Sequence, residues 1–271
     1  MSGDEEKYLL DNQQPEAGRR FEALSALFDP STFRHVEALG IRPGWRCWEV
    51  GAGGPSVPGW LACQVGSRGH VVATDIDVSW LTPGAERPAY EVRQHDVGKD
   101  EPPGEGFDLV HARLVLVHVT AREQALAAMV RSLRPGGHLL LEEADPQLQP
   151  KVCPDEHGPE ERLANRLKDG FRALMAQRGV DLAYGRTLPR LMRAAGLADV
   201  EADSYSPLTG PECVRLERAT VEQIRGSLLD AGLASEEEIE EHLRNVDTQQ
   251  LDLATPPMVS AWGRRPGGPG V

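Results

Sequence analysis

The chain has 271 residues, with 42 acidic side chains against 29 lysines and arginines and a formal net charge of −13 at pH 7. That length holds one enlarged α/β enzyme domain without requiring a second independent one. The charge opposes a polyanionic partner such as bulk DNA or RNA, because no basic stripe offsets it and Arg19-Arg20 and Arg264-Arg265 read as ordinary solvated charge.

Apolar residues at Phe21, Leu24, Leu27 and Phe28 mark a first helix over Pro15 to Leu27. Asp29-Pro30-Ser31-Thr32 is expected to break it, and a second helix with Phe33, Val36 and Leu39 on one side closes at Gly40. Arg46-Cys47-Trp48-Glu49-Val50 then reads as a strand, Gly51-Ala52-Gly53-Gly54-Pro55-Ser56 as a tight turn, and Val57 to Val65 as a helix with Pro58 in its first turn. A second strand, Val71-Val72-Ala73-Thr74-Asp75, ends on a carboxylate. A third strand, Ala89 to Arg93, leads to Gln94-His95-Asp96-Val97, and a fourth, Phe107 to Ala112, leads into Arg113 and on to His118. A helix over Arg122 to Leu133 is ended by Arg134-Pro135-Gly136-Gly137, and the fifth strand runs from His138 to Glu143.

Beyond this point the pattern is mostly helical. After a loop from Pro146 to Pro159, a helix over Glu160 to Arg178 carries Leu163, Leu167, Phe171 and Leu174 on one face. A helix over Arg186 to Ala195 precedes Gly196-Leu197-Ala198-Asp199-Val200, the lead into a sixth strand. Helices over Pro211 to Ala231 and Ser235 to Val246 separate it from a seventh strand, Met258 to Gly263, and a Gly/Pro tail follows Pro266. The expected organisation is an N-terminal helical cap segment (1–40) and a core (41–205) with a helical insertion at about 146–195. A cap insertion (206–257) and the last strand with its tail (258–271) complete it.

Strand, glycine turn, helix, strand and acid, in that order, suit an adenosine cofactor: glycines let the backbone approach the ligand, and the acid accepts from ribose hydroxyls. A dinucleotide fingerprint wants a third glycine where Ser56 stands, and Glu49 would repel a pyrophosphate while suiting an ammonium group. The run from Glu49 to Ser56 therefore resembles motif I of the class I S-adenosylmethionine-dependent methyltransferases. The Leu133-Arg134-Pro135-Gly136-Gly137 turn feeding a strand is similar to the quinone-biosynthesis type and to small-molecule enzymes of actinobacteria. The resemblance covers about Gly44 to Ala144 and implies a Rossmann-like α/β fold. Its seven-stranded sheet is mostly parallel with an antiparallel last strand, here under a helical cap at the carboxyl edge. It further implies S-adenosyl-L-methionine as cofactor and S-adenosyl-L-homocysteine as product. The implied cofactor-binding residues are Glu49, Gly51, Ala52, Gly53, Asp75, Ile76, Asp96, Val97, Ala112 and Arg113. Two departures stand out: Pro55 stiffens the glycine turn, and the connection between the last two strands is long where the family has a short hairpin.

Methyl transfer is an in-line displacement that needs alignment and, for a poor nucleophile, removal of a proton. His118, just beyond the fourth strand, is the candidate base because its ring titrates near neutral pH. Glu142 is the second candidate: Glu142 and Glu143 alternate across a strand end, so one should face the cleft and the other the helices or solvent. His111 reads as structural or cofactor-adjacent. The expected reaction is methyl transfer to oxygen, nitrogen or carbon of a small, partly hydrophobic acceptor, such as a specialised metabolite, with a homodimer left open. A nicotinamide-dependent oxidoreductase and a noncatalytic or non-methylating relative of the fold remain as rivals. No apolar run is long enough to span a bilayer and no signal peptide stands at Met1. Cys47, Cys63, Cys153 and Cys213 lack metal-ligand spacing, so the expectation is a cytoplasmic chain with reduced thiols and no metal. Cys47 and Cys63 are expected to act as small buried hydrophobes.

Overall fold

A computed structural model describes residues 9, 15–81, 89–248 and 250–267 of the chain. The start of the N-terminal segment and the end of the Gly/Pro tail lie outside the described residues. The strands are β1 (Arg46–Val50), β2 (His70–Asp75), β3 (Glu91–Gln94), β4 (Phe107–Arg113), β5 (Leu133–Ala144), β6 (Ala198–Tyr205) and β7 (Met258–Arg264). The helices are α1 (Pro15–Ala38), α2 (Ser56–Val65), α3 (Arg122–Ser132), α4 (Pro159–Gln177), α5 (Leu188–Ala194), α6 (Pro211–Asp230) and α7 (Glu236–Asp247). Among the described residues the strands form one seven-stranded sheet in the order β3-β2-β1-β4-β5-β7-β6.

The chain divides into two compact units. Among the described residues the larger comprises 29–81, 89–143, 184–204 and 259–267 and holds the sheet through most of its extent. Its β1, β2, β3, β4 and β5 pair in parallel. β7 is antiparallel to β5, since Gly136 N donates to Arg265 O and Arg265 N donates to Gly137 O. β1 lies inside the sheet between β2 and β4 and is buried along nearly its whole length, as expected of a parallel strand covered on both faces. Trp48 within it is fully buried and donates its indole N–H to Thr74 Oγ1 at 2.9 Å. On one side Val57, Leu61 and Val65 of α2 pack with Val36, Cys47, Val71, Leu109 and Leu140.

Among the described residues the smaller unit takes Leu9 and residues 15–28, 144–183, 205–248 and 250–258. Its core joins Leu163, Leu167 and Leu174 of α4 to Val221, Ile224 and Leu228 of α6 and to Ile239 and Leu243 of α7. Gly170 permits the close approach of α4 and α6, since a Cβ there would lie 2.9 Å from Leu228 Cδ2. The start of α7 is fixed by a capping box between Ser235 and Glu238.

Several expectations change. Pro30 does not break the first helix; α1 continues through it to Ala38. The missing amide removes one helical hydrogen bond, but the next turn is held from outside, with Thr32, His35 and Val36 buried. The Arg134-Pro135-Gly136-Gly137 segment does not precede β5 but lies inside it. It forms a bulge that shifts the register between Phe107↔Leu133 and Leu109↔His138, with Gly136 at φ 75°. Cys63 is exposed rather than buried, whereas Cys47, Cys153 and Cys213 are buried free thiols. Arg20 is buried, and its Nε donates to Gln223 Oε1 at 3.1 Å.

Candidate active site

The carboxyl ends of β1, β2 and β4 bring the glycine turn, Asp75 and Arg113 into one unit of the structure. Gly51 (φ 59°) and Gly53 (φ 62°) occupy the left-handed region that a side chain disfavours. At Gly51 the restriction is also steric, because a Cβ there would sit 2.4 Å from Val115 Cγ2. The turn is tied to β2 by Ala52 N to Thr74 O (3.0 Å) and by Gly53 N to Asp75 Oδ2 (2.9 Å). Asp77 N reaches Asp75 Oδ1 at 3.1 Å, so the loop after β2 shares the same carboxylate. Burial pushes the Asp75 carboxyl up, and these amides pull it back. The Ile76 amide reaches the same carboxylate, which retains acceptor capacity for one further donor.

Pro55 fits this turn. It stands just before α2 with φ −80° and ψ −9°, within the range its ring imposes, and its carbonyl accepts Gly59 N at 2.9 Å. A Cβ on the neighbouring Gly54 would meet nothing within 4 Å, so the turn borders open space. Ile76 follows Asp75 and is 64% exposed, an apolar side chain presented outward at the tip of β2. Asp96 accepts Gly98 N at 2.9 Å and pairs with Lys99 Nζ at 2.9 Å; burial raises its carboxyl, and Lys99 and Gly98 hold it below the usual range. Val97 and Ala112 are buried.

Beneath the turn lies a largely buried polar set drawn from seven elements. His111 on β4 is fully enclosed; its Nδ1 is 2.7 Å from Glu49 Oε2 on β1 and its Nε2 is 3.2 Å from Glu142 Oε2 on β5. Glu142 also accepts from Thr32 Oγ1 on α1 and from Ser260 Oγ on β7 at 2.6 Å. His35 on α1 places Nδ1 3.5 Å from Glu142 Oε1 and Nε2 3.0 Å from Asp203 Oδ1 on β6. Arg113 donates to Thr32 Oγ1 (3.0 Å) and to Asp29 Oδ1 (2.8 Å), and Asp29 also accepts from Ser56 Oγ at the start of α2. Burial works against charging His111, yet its two carboxylate neighbours raise its pKa to about 9. Burial raises the Glu49 carboxyl, with His111 opposing it. Glu142 is held well below the usual carboxylate range: burial alone would raise it, but His111 and His35 prevail.

This arrangement revises the reading of Glu142. Both of its oxygens are engaged by buried partners and it is 1% exposed, so it is not placed to take a proton from an acceptor. Nor does Glu143 face solvent. It too is 1% exposed, and its Oε1 accepts Val115 N (3.1 Å) and Val117 N (3.3 Å) while Oε2 is buried without a partner. Burial pushes the Glu143 carboxyl up to about 8. These amides belong to the loop after β4, where Leu114 is held at φ 58° and a short 3-10 turn ends at the half-buried His118. Sequence reasoning missed Asp29, Thr32, His35, Asp203 and Ser260; no local motif marks them, because each partner lies far along the chain.

Among the described residues no group of side chains forms a metal site, and no helix is long and apolar enough to cross a membrane. A backbone turn open on one side, an acid at the end of β2, an exposed apolar residue beside it and a buried acid at the end of β1 fit an adenosine bearing an amino acid. They suit a pyrophosphate poorly.

Residues 19–202 match a family model described as a methyltransferase domain. The chain is 37% identical over 181 residues to the ubiquinone/menaquinone biosynthesis C-methyltransferase of Nitrosospira multiformis, spanning 61% of this chain and 72% of that protein. It is 39% identical over 112 residues to the enzyme of the same name from Laribacter hongkongensis, spanning 39% of this chain and 46% of that protein. Among solved structures, the fold is similar to Haemonchus contortus phosphoethanolamine N-methyltransferase 2 bound to S-adenosyl-L-methionine. That likeness has a TM-score of 0.56 and 17% identity, over 97% of this chain and 60% of that one. It is also similar to the YcgJ protein of Bacillus subtilis (TM-score 0.53, 14% identity, over 89% of this chain and all of that one).

Proposed function

The chain belongs to the class I S-adenosylmethionine-dependent methyltransferases, and on that premise we propose that its methyl acceptor is a small, partly hydrophobic organic molecule methylated at oxygen, nitrogen or carbon. The observation that carries the site assignment is the Gly51–Gly53 turn tied to Asp75, with Glu49 buried beneath it. When bound, S-adenosylmethionine supplies a methyl group activated by its sulfonium. In this reading Asp75 accepts from the ribose hydroxyls, Ile76 covers one adenine face, and Asp96 and Val97 meet the adenine edge. The backbone of Gly51-Ala52-Gly53 lets the nucleoside approach, and Glu49, Ala112 and Arg113 line the amino-acid end. His118, half-buried on the turn after β4, is the base that removes a proton from the acceptor.

A net charge of −13 supports an uncharged or cationic small acceptor over a nucleic acid. The cysteines, all free, are compatible with a reducing cytoplasm. The relatives named as quinone-biosynthesis C-methyltransferases make an electron-rich ring carbon the acceptor to test first. The test is transfer of labelled methyl from the cofactor to a panel of hydroquinones, phenols, amines and enolates. Label appearing in one of these small molecules supports the reading. Absence of transfer to every class, by folded protein that binds S-adenosylhomocysteine, would favour a noncatalytic relative of the fold.

A further inference from the structure

We propose that His111 is a positioning residue for the amino-acid end of the cofactor: clamped between Glu49 and Glu142, its ring holds the Glu49 carboxylate in place and ionised inside the protein. The inference rests on the cofactor reading above. Its geometric basis is that both ring nitrogens face carboxylate oxygens, Nδ1 at 2.7 Å and Nε2 at 3.2 Å, with the ring fully enclosed. A histidine that donates from both nitrogens carries both protons and is therefore a cation.

The surroundings explain why that charge is needed. Two carboxylates, Glu49 and Glu142, are buried on either side of one imidazole. The other groups facing them are Thr32 and His35 from α1, Arg113 from β4 and Ser260 from β7. Arg113 is committed to Asp29 at 2.8 Å, and His35 to Asp203 at 3.0 Å. Glu142 has four neighbours, while Glu49 has His111 as its close cationic partner. With a neutral side chain at position 111, burial would favour the protonated form of Glu49, and a neutral acid attracts an ammonium group weakly. The cation thus serves less to bind than to keep an acid charged where a cationic ligand group must be received.

The test compares two ligands sharing the same nucleoside: S-adenosylhomocysteine, which carries the amino acid, and 5′-methylthioadenosine, which does not. His111→Gln should weaken the first by about 10- to 100-fold at pH 7, the range of one charge-assisted hydrogen bond, and leave the second nearly unchanged. In that variant the lost affinity should return as pH rises and Glu49 ionises, a response that simple loosening of the fold would not produce. Equal loss for both ligands, or a loss independent of pH, would overturn the proposal. Calorimetry on the unaltered protein provides a second test independent of whether the variant folds. S-adenosylhomocysteine binding at pH 7 should give the same enthalpy in phosphate and in Tris if His111 keeps Glu49 ionised before the ligand arrives. Release of close to one proton per site would overturn the proposal, whereas no binding at all would overturn the cofactor reading beneath it.

Discussion

Gly51 offers a measurement in which two physical effects can be separated. Gly51→Ala places a Cβ on a residue at φ 59°, 2.4 Å from Val115 Cγ2, with Val115 Cγ1 at 3.3 Å and Val115 Cβ at 3.4 Å. The left-handed backbone alone should cost about 1–2 kcal/mol for an L side chain. Overpacking against a stiff, β-branched valine should add about 1–3 kcal/mol. Urea denaturation should therefore show a loss of about 2–5 kcal/mol. Val115→Ala in the same background removes both Cγ atoms and leaves only the ordinary 3.4 Å contact to Cβ. The double variant should recover the overpacking part relative to the sum of the two single changes and retain the backbone part. A Gly51→Ala protein within about 0.5 kcal/mol of the parent, the range of an inconsequential surface change, would refute the reasoning. So would a cycle with no coupling between the two positions, since the close approach would then be absent.

Asp75→Ala should weaken S-adenosylhomocysteine binding by about 1.5–3 kcal/mol, the range for hydrogen bonds to a charged group, and unchanged affinity in a titration would remove Asp75 from the site. His118→Ala should lower turnover while leaving cofactor affinity close to the parent; full turnover at neutral pH would show that His118 is not the base. Stability should decline towards alkaline pH for two reasons of the same sign. His111, raised from 6.5 to about 9, contributes stability that is complete below its unfolded value and is lost as pH rises through about 9. Glu143, raised from 4.5 to about 8, keeps a proton in the folded state that the unfolded chain has released, so stability falls between those values. Glu143→Gln should flatten the decline between about pH 4.5 and 8 in denaturation curves, and an unaltered slope would contradict the assigned burial effect.

The features legible in the sequence were those that local chemistry dictates. Gly51 and Gly53 announce a backbone that turns through positive φ, Asp75 ends an apolar strand, and both were visible in a short stretch of residues. Prolines misled where tertiary contacts outweighed local preference. Pro30 sits within α1, where the following turn is anchored by Thr32 and His35, and Pro135 lies in a bulge of β5 closed by Arg265, just past the end of β7. Alternation along β5 distinguished the faces of Glu142 and Glu143 but not their depth, and both proved buried. The buried set around His111 could not be read in advance. Thr32 and Glu142 are 110 residues apart, and Ser260 and Glu142 are 118 apart, so only the folded sheet brings them together.

The proposed site for an adenosine carrying an amino acid is built from the glycine turn, Asp75 and Glu49. Calorimetric titration of the cofactor-stripped protein with S-adenosylhomocysteine, with NAD in parallel, tests it most directly. Saturable one-to-one binding of S-adenosylhomocysteine and none of NAD is the predicted result. Binding of NAD alone, or of neither by a folded protein, would contradict the account.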